Sequence, residues 1–177
     1  MKECSKFARV CFNLCMNVNS ELLIPSEKGN YLLTFQVEQS FACQIGKLGV
    51  AQFSAGTYHY SGSAQGGGGI AARVKYHLKH HAHPHWHLDF LRPYIRFTAC
   101  HWLISPPGWE CRWMQCLQNE PNVHVPLPRF GASDCQTGCK AHLFQLERTP
   151  VQIKILLEKI SPPEFMYNWV EICTCEA

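Results

Sequence analysis

Residues 56–81 carry the side chains whose types and spacing best fit phosphate chemistry. Tyr60 lies in a short run of strand-forming residues, and four consecutive glycines follow at residues 66–69. Beyond them, Arg73 and His77 are four residues apart and would share one face of a helix. Glycines let backbone N–H groups approach a phosphate, and a helix N-terminus adds partial positive charge. The pattern predicts a strand, an anion-binding loop and a helix that brings Arg73 and Tyr60 together over a phosphate.

Positive charge is concentrated around the same stretch, although the whole chain is only weakly basic. The 177 residues have a formal net charge of +3 and are 46% hydrophobic, which is typical of a globular protein. Between Arg73 and Arg96 there are five Lys or Arg residues and a single acid, Asp89. Seven of the ten histidines lie between residues 77 and 101. This basic, His-rich face fits a polyanionic partner, and a merely solvated basic surface is the alternative.

The elements that must position these side chains follow from the residue pattern. Three parts are predicted, an N-terminal extension, a folded domain and a C-terminal extension, at residues 1–28, 29–149 and 150–177. Strands are predicted at residues 29–37, 48–53, 57–61, 97–104 and 141–146, and helices from residue 70 onward and at 109–119. Residues 151–160 fit either a helix or a strand. Because strands and helices mix without regular βαβ alternation, the sequence predicts the α+β class.

The cysteines and the absence of long apolar runs bear on the compartment. There are eleven cysteines, no evident signal peptide in residues 1–20, and no run that approaches ~18 apolar residues. The sequence therefore predicts an intracellular, cytoplasmic protein without a membrane span, whose thiols are mostly reduced core residues. Cys135, Cys139 and His142 offer three candidate metal ligands with no evident fourth. A structural role is favoured for them, and a zinc site is the alternative.

Four groups of residues, in this order, carry a resemblance to a known superfamily. They are Gly29-Asn30-Tyr31; Tyr60-Ser61-Gly62-Ser63-Ala64 running into the glycines; His85-Trp86-His87-Leu88-Asp89 with a following Glu; and Phe130-Gly131-Ala132-Ser133-Asp134-Cys135 with His142-Leu143-Phe144. Together they resemble the GIY-YIG nuclease superfamily over residues 29–146. The match is closest to a small branch that is catalogued as a domain of unknown function.

The resemblance implies a fold and an activity. The fold is a compact domain with a small central, mostly antiparallel sheet flanked by helices. The activity is metal-dependent endonucleolytic hydrolysis of DNA, with DNA repair or processing as the expected setting. By position, Tyr31, Tyr60, Arg73 and His77 would be catalytic residues, and Glu110 would bind the metal.

The chemistry of these residue types agrees with such roles. Mg²⁺ or Mn²⁺ prefers oxygen ligands and often takes only one or two carboxylates, so Glu110 suffices in principle. Arg73 would pair with phosphate oxygens. A tyrosine, with an ordinary pKa near ~10, needs nearby positive charge to act as a base, and Arg73 and the metal would supply it. His77 would orient a tyrosine or carry a proton.

Further residues are expected to contact DNA or to support the site. The expected DNA contacts are Gly68, Lys75, Lys79, His85 and His87. His87 and Asp89, two residues apart, are predicted to point the same way from a strand and to hydrogen bond to each other.

Two departures from the superfamily pattern keep an alternative open. Asn30 stands where an aliphatic residue is usual, and the late asparagine of many such nucleases has no match, with Asp134 or His142 in a similar place. A nucleic-acid-binding module that kept the fold but not the reaction is therefore the second hypothesis. A zinc-containing interaction protein is the third.

Overall fold

The computed structural model describes residues 24–172, in which strands outnumber helices. The strands are β1 (Gly29–Val37), β2 (Phe41–Gln44), β3 (Val50–Phe53), β4 (Gly56–Ala64), β5 (Ile95–Ile104), β6 (Leu143–Gln145) and β7 (Met166–Glu171). The α-helices are α1 (Gly69–Leu78), α2 (Trp109–Leu117) and α3 (Pro150–Ile160). Short 3₁₀ helices lie at Gly46–Leu48 and His87–Tyr94.

A five-stranded antiparallel sheet in the order β6-β4-β1-β5-β7 forms the centre of the domain. The strands β2 and β3 form a separate hairpin. The predicted α+β class is therefore confirmed. In the described part of the chain, no helix combines the length and apolar character needed to cross a membrane.

Strand β1 lies in the middle of the sheet and is almost entirely buried on both faces. Its successive side chains point to opposite faces, as the period of a strand requires. Tyr31 and Leu33 enter the cluster that contains Ile70 of α1, whereas Leu32 enters the cluster that contains Trp113 of α2. The sheet thus has α1 on one face and α2 on the other, with β1 fixing both.

Residues 150–172, set apart in the sequence as an extension, pack onto the same sheet. Residues 151–160, ambiguous in sequence, are helical because Pro150 starts α3 and Thr149 caps it, its Oγ1 accepting a hydrogen bond from Gln152 N at 3.3 Å. Strand β7 pairs with β5 and extends the sheet by one strand. Ile153 and Leu157 of α3 are buried in the cluster around Trp113.

Two isoleucines of α3 test this packing as a matched pair. Ile153 is fully buried, whereas Ile155 is 48% exposed. Ile153→Ala should lower the free energy of unfolding by about 2–5 kcal/mol, because it removes buried methyl groups and leaves a cavity. Ile155→Ala should change it by no more than about 0.5 kcal/mol. Urea unfolding measures both, and equal effects would show that α3 does not share the core.

Candidate functional site

A groove of about 490 Å³ brings together side chains from distant parts of the chain. Strands β1 and β4 contribute Tyr31 and Tyr60, α1 contributes Arg73, and α2 contributes Glu110. The other residues that line it are Gly62, Ser63, Gln65, Gly66, His85, Trp86, His87, Gly131, Ser133, Asp134 and His142. Four of the five residues expected from the sequence to be catalytic or to bind metal therefore face one space.

The fifth, His77, lies directly behind the groove in a buried chain of hydrogen bonds. Its Nε2 atom is 2.9 Å from the Tyr31 hydroxyl, and its Nδ1 atom is 3.1 Å from Asp89 Oδ1. Asp89 Oδ2 accepts hydrogen bonds from the backbone N–H groups of Trp86, at 2.8 Å, and His85, at 3.1 Å. One carboxylate thus fixes both His77 and the backbone that precedes the 3₁₀ helix.

The protonation states in this chain follow from its surroundings. Burial raises the pKa of Asp89, but the hydrogen bonds from His77 and from the Trp86 and His85 backbone outweigh it, so the net pKa is lowered. Burial lowers the pKa of His77, despite the opposing hydrogen bond to Asp89. A neutral His77 and an ionised Asp89 follow at neutral pH. His77 then donates from Nδ1 to Asp89, and Nε2 accepts from the Tyr31 hydroxyl.

The two tyrosines pack against each other, with ring centroids 6.4 Å apart. Tyr31 is fully buried, and Tyr60 is 5% exposed, so Tyr60 is the phenol that a ligand in the groove meets. Burial raises the pKa of both hydroxyls, and the nearby Arg73 opposes that rise. Gly62 is required opposite Tyr31, because a Cβ atom there would collide with the Tyr31 hydroxyl. The strand pairing therefore fixes where both phenols lie.

Arg73 is held in the groove by an aromatic surface. Its guanidinium carbon lies 4.0 Å from the centroid of the Trp86 ring. Within residues 24–172, no carboxylate forms a salt bridge with it. Its charge is therefore available to a ligand. Trp86 was not among the site residues expected from the sequence, where only its position between two histidines could have indicated a role.

The anion site expected at the N-terminus of α1 does not have the free backbone donors that the expectation assumed in the first turn of the helix. Its first N–H groups are already engaged: Ile70 N donates to Glu27 O at 3.0 Å and Ala71 N donates to Pro25 O at 2.9 Å. Gly69 is needed there because a Cβ atom would collide with the carbonyl oxygens of Ser26 and Glu27. Gly69 therefore lets the segment before β1 pack against the helix.

The expected DNA-contacting residues divide into two groups. His85 and His87 line the groove. Gly68, Lys75 and Lys79 are exposed but do not line it. They lie instead on or beside the solvent-facing side of α1.

The predicted hydrogen bond between His87 and Asp89 is wrong, because these residues lie in a 3₁₀ helix rather than in a strand. The Asp89 side chain caps that helix by accepting the Trp86 N–H, and its other oxygen meets His77. His87 turns away and accepts a hydrogen bond at Nδ1 from Gly131 N, at 2.9 Å. His87 therefore ties the 3₁₀ helix to the loop that follows residue 129.

The carboxylates that line the groove are Glu110 and Asp134. Glu110 lies at the start of α2, as predicted, and its Oε2 atom accepts a hydrogen bond from Gly108 N at 2.9 Å. Its Oε1 atom is not engaged by a backbone donor. A group of four residues beside Glu110 could hold a metal ion: Cys111, Cys135, Cys139 and His142.

Comparison with known proteins gives one finding. A family model described as "Domain of unknown function DUF123" matches residues 30–162. Neither the curated proteins nor the solved structures contain a match. The matched residues include the whole groove.

The buried imidazole of His77 makes stability depend on pH. Because the folded-state pKa of His77 is lowered, the unfolded chain takes up a proton first as pH falls below about 6.5, and stability is lost from there downward. Its slope is at most about 1.4 kcal/mol per pH unit. His77→Gln should therefore lose less unfolding free energy than the wild type between pH 7.5 and pH 5.

The exposed His80 on the same segment provides the control. Urea unfolding of His80→Gln should show the wild-type pH dependence, because the side chain of His80 is exposed. An unchanged pH dependence in His77→Gln would contradict a buried neutral imidazole.

Proposed function

Because the chain belongs to the DUF123 family of domains, whose name carries no activity, we propose its function from its own groove: metal-dependent endonucleolytic hydrolysis of DNA. The observation that carries the proposal is the convergence of Tyr60, Arg73 and Glu110 on one groove beside a basic face. The single acid between Arg73 and Arg96, Asp89, is buried and bound to His77. Arg73 and Lys75 of α1 and the adjacent Lys79 form no salt bridge among the described residues and therefore offer positive charge to a polyanion.

Arg73 is the phosphate-binding residue in this proposal. Stacking on Trp86 orients its guanidinium plane and leaves its N–H donors free, which suits bidentate contact with phosphate oxygens. The Ser63 hydroxyl also lines the groove and is buried without a hydrogen-bond partner among the described residues. Buried polar groups are normally paired, so Ser63 is a further donor for a bound phosphate.

In this proposal, Tyr60, Tyr31 and His77 together accept the proton that the attacking water loses. Tyr60, the phenol that reaches the groove, contacts the water; burial disfavours the charged form of its hydroxyl, and Arg73 opposes that effect. For Tyr60 to take a proton from the water, its own proton must pass to Tyr31, whose proton passes to His77 Nε2, and the resulting imidazolium would be paired with Asp89. The hydrogen bonds among Tyr31, His77 and Asp89 thus provide an acceptor for the proton.

Glu110 would hold a divalent ion, with Asp134 as the second carboxylate of the groove. The Oε1 atom of Glu110, whose contact is with Cys111 Sγ at 4.0 Å rather than with a backbone donor, and the neighbouring Asp134 fit Mg²⁺ or Mn²⁺, which keep waters and bind substrate phosphate. When bound, the ion supplies charge neutralisation at the phosphate. Glu110 itself is oriented by the Gly108 N–H.

One observation favours a second candidate, a nucleic-acid-binding module without turnover. Burial raises the pKa of both Tyr31 and Tyr60, so both phenols are protonated at neutral pH, and Tyr60, which reaches the groove, acts there as a hydrogen-bond donor. Donors beside Arg73 bind phosphate well without activating water. This candidate predicts salt-sensitive binding of DNA and no metal-dependent cleavage.

Incubation of the purified chain with nicked, branched and plain duplex DNA, with Mg²⁺ or Mn²⁺, tests the proposal. We expect cleavage that falls by about 10²–10⁴-fold in Tyr60→Phe and by about 10²–10³-fold in Arg73→Ala. Glu110→Gln should lower cleavage strongly and raise the Mg²⁺ or Mn²⁺ concentration that cleavage requires. The exposed Tyr94, which lies outside the groove, gives the matched control Tyr94→Phe, which should cleave like the wild type.

Binding at low salt without cleavage would support the second candidate and exclude the first. Cleavage that is equal in the wild type and Tyr60→Phe would contradict the role given to the groove. The absence of both binding and cleavage would exclude both candidates.

A further inference from the structure

Three cysteines and a histidine form a compact cluster at one wall of the groove. The ligand atoms of Cys111, Cys135, Cys139 and His142 all lie within 4.8 Å of one another. Cys111 is on α2, and the other three lie in the loop and turn between residues 129 and 143. The sequence offered no fourth ligand because Cys111 is 24 residues away from Cys135 and becomes its neighbour only through the fold.

Two of the separations within the cluster match the edges of a tetrahedral zinc site, and all of them lie within 4.8 Å. With Zn–S near ~2.3 Å and Zn–N near ~2.0 Å, tetrahedral edges are roughly 3.8 Å between two sulfurs and roughly 3.5 Å between sulfur and nitrogen. The Sγ atoms of Cys111 and Cys135 are 3.7 Å apart, and Cys111 Sγ is 3.5 Å from His142 Nε2. Three thiols and one imidazole are also a ligand set that structural zinc sites use.

The alternatives account for less of this arrangement. A disulfide would bring two sulfurs to about 2.05 Å and would leave the third thiol and the imidazole beside it without a role. Cysteines that serve only as core residues have no reason to converge on one imidazole nitrogen. The other described cysteines, Cys43, Cys100 and Cys116, belong to no such group.

The surroundings of the cluster resemble the second shell of a metal site. Thr137 Oγ1 lies 3.2 Å from Cys135 Sγ and 3.5 Å from Cys139 Sγ, where a hydroxyl can stabilise thiolates. The backbone of His142 is fixed on both sides, its N–H donating to Phe130 O at 2.7 Å and its carbonyl accepting from Ser61 N at 3.0 Å. His142 is thus held in place by β4 and by the start of the loop.

We propose that Cys111, Cys135, Cys139 and His142 bind one structural Zn²⁺ ion. Binding releases the three thiol protons to solvent, and three thiolates with a neutral imidazole then hold the ion through Nε2 of His142. With four protein ligands the site is closed, so the ion has no open position for substrate.

Such an ion would tie the start of α2 to the loop after residue 129, the two segments that form one wall of the groove. Cys111 follows Glu110 directly on α2, whereas the loop that supplies the other ligands carries Asp134 and Gly131. A loop of this length without regular structure needs a tether to stay in one conformation. The ion would hold the two carboxylates of the groove at a fixed separation, whether or not the groove hydrolyses DNA.

Metal analysis of the full chain, purified under reducing conditions without a chelator, tests the site directly. We expect about one equivalent of zinc per chain, and replacement by Co²⁺ should give the absorption bands of tetrahedral thiolate coordination. Cys111→Ser and His142→Ala should lose most of the metal. Cys116→Ser, on the same helix but outside the cluster, should keep it, and His142→Cys should keep it as a four-cysteine site.

A second readout remains informative even when a ligand variant fails to fold. In the wild-type chain, chelation should expose three additional thiols to a thiol reagent and lower the melting temperature. A chain that purifies without zinc and takes up neither Zn²⁺ nor Co²⁺ would overturn the proposal. A disulfide among Cys111, Cys135 and Cys139 that persists in native protein purified under reducing conditions would also overturn the proposal.

Discussion

The buried hydrogen-bonded chain Asp89–His77–Tyr31 is the interaction on which the groove depends. It joins the 3₁₀ helix, α1 and the central strand β1 at one point. Because these three side chains are buried, removing one of them would leave its neighbours without hydrogen-bond partners, at a cost of about 1–3 kcal/mol for each unsatisfied group. The same carboxylate also holds the backbone of Trp86, on which Arg73 stacks. Asp89 therefore sets the position of a phenol and of a guanidinium at once.

Local patterns were enough to predict much of this arrangement. The apolar run at residues 29–37 became the central strand β1, and the four-residue spacing of Arg73 and His77 placed both on one helix. What the sequence could not provide was the identity of long-range partners. The carbonyl oxygens of Pro25 and Glu27 accept hydrogen bonds from the first N–H groups of α1, so a contact within the chain stands where an anion site was expected. Asp89 hydrogen bonds to His77 rather than to His87, because Asp89 lies in a 3₁₀ helix and not in a strand, and the helix sets where its side chain points.

Two walls of different character face each other across the groove. One wall is α1 with the 3₁₀ helix, where Arg73, Trp86 and the hydrogen-bonded chain are fixed by packing and buried polar contacts. The other wall is the start of α2 and the loop after residue 129, where regular structure is sparse and the cysteine–histidine cluster lies. His87 bridges the two walls through its hydrogen bond with Gly131 N. A site that needs Arg73 opposite Glu110 needs both walls held firmly.

If both walls contact one phosphate backbone, a two-dimensional ¹⁵N–¹H NMR titration with a short DNA duplex at low salt should detect it. We expect the signals of Gly62, Gly131 and the Trp86 indole to shift together with one dissociation constant, because these groups line the same groove. The signals of the β2–β3 hairpin, whose residues lie outside the groove, should stay in place. Shifts confined to that hairpin, or to the exposed face of α1 without Gly62 and Gly131, would contradict phosphate binding in the groove.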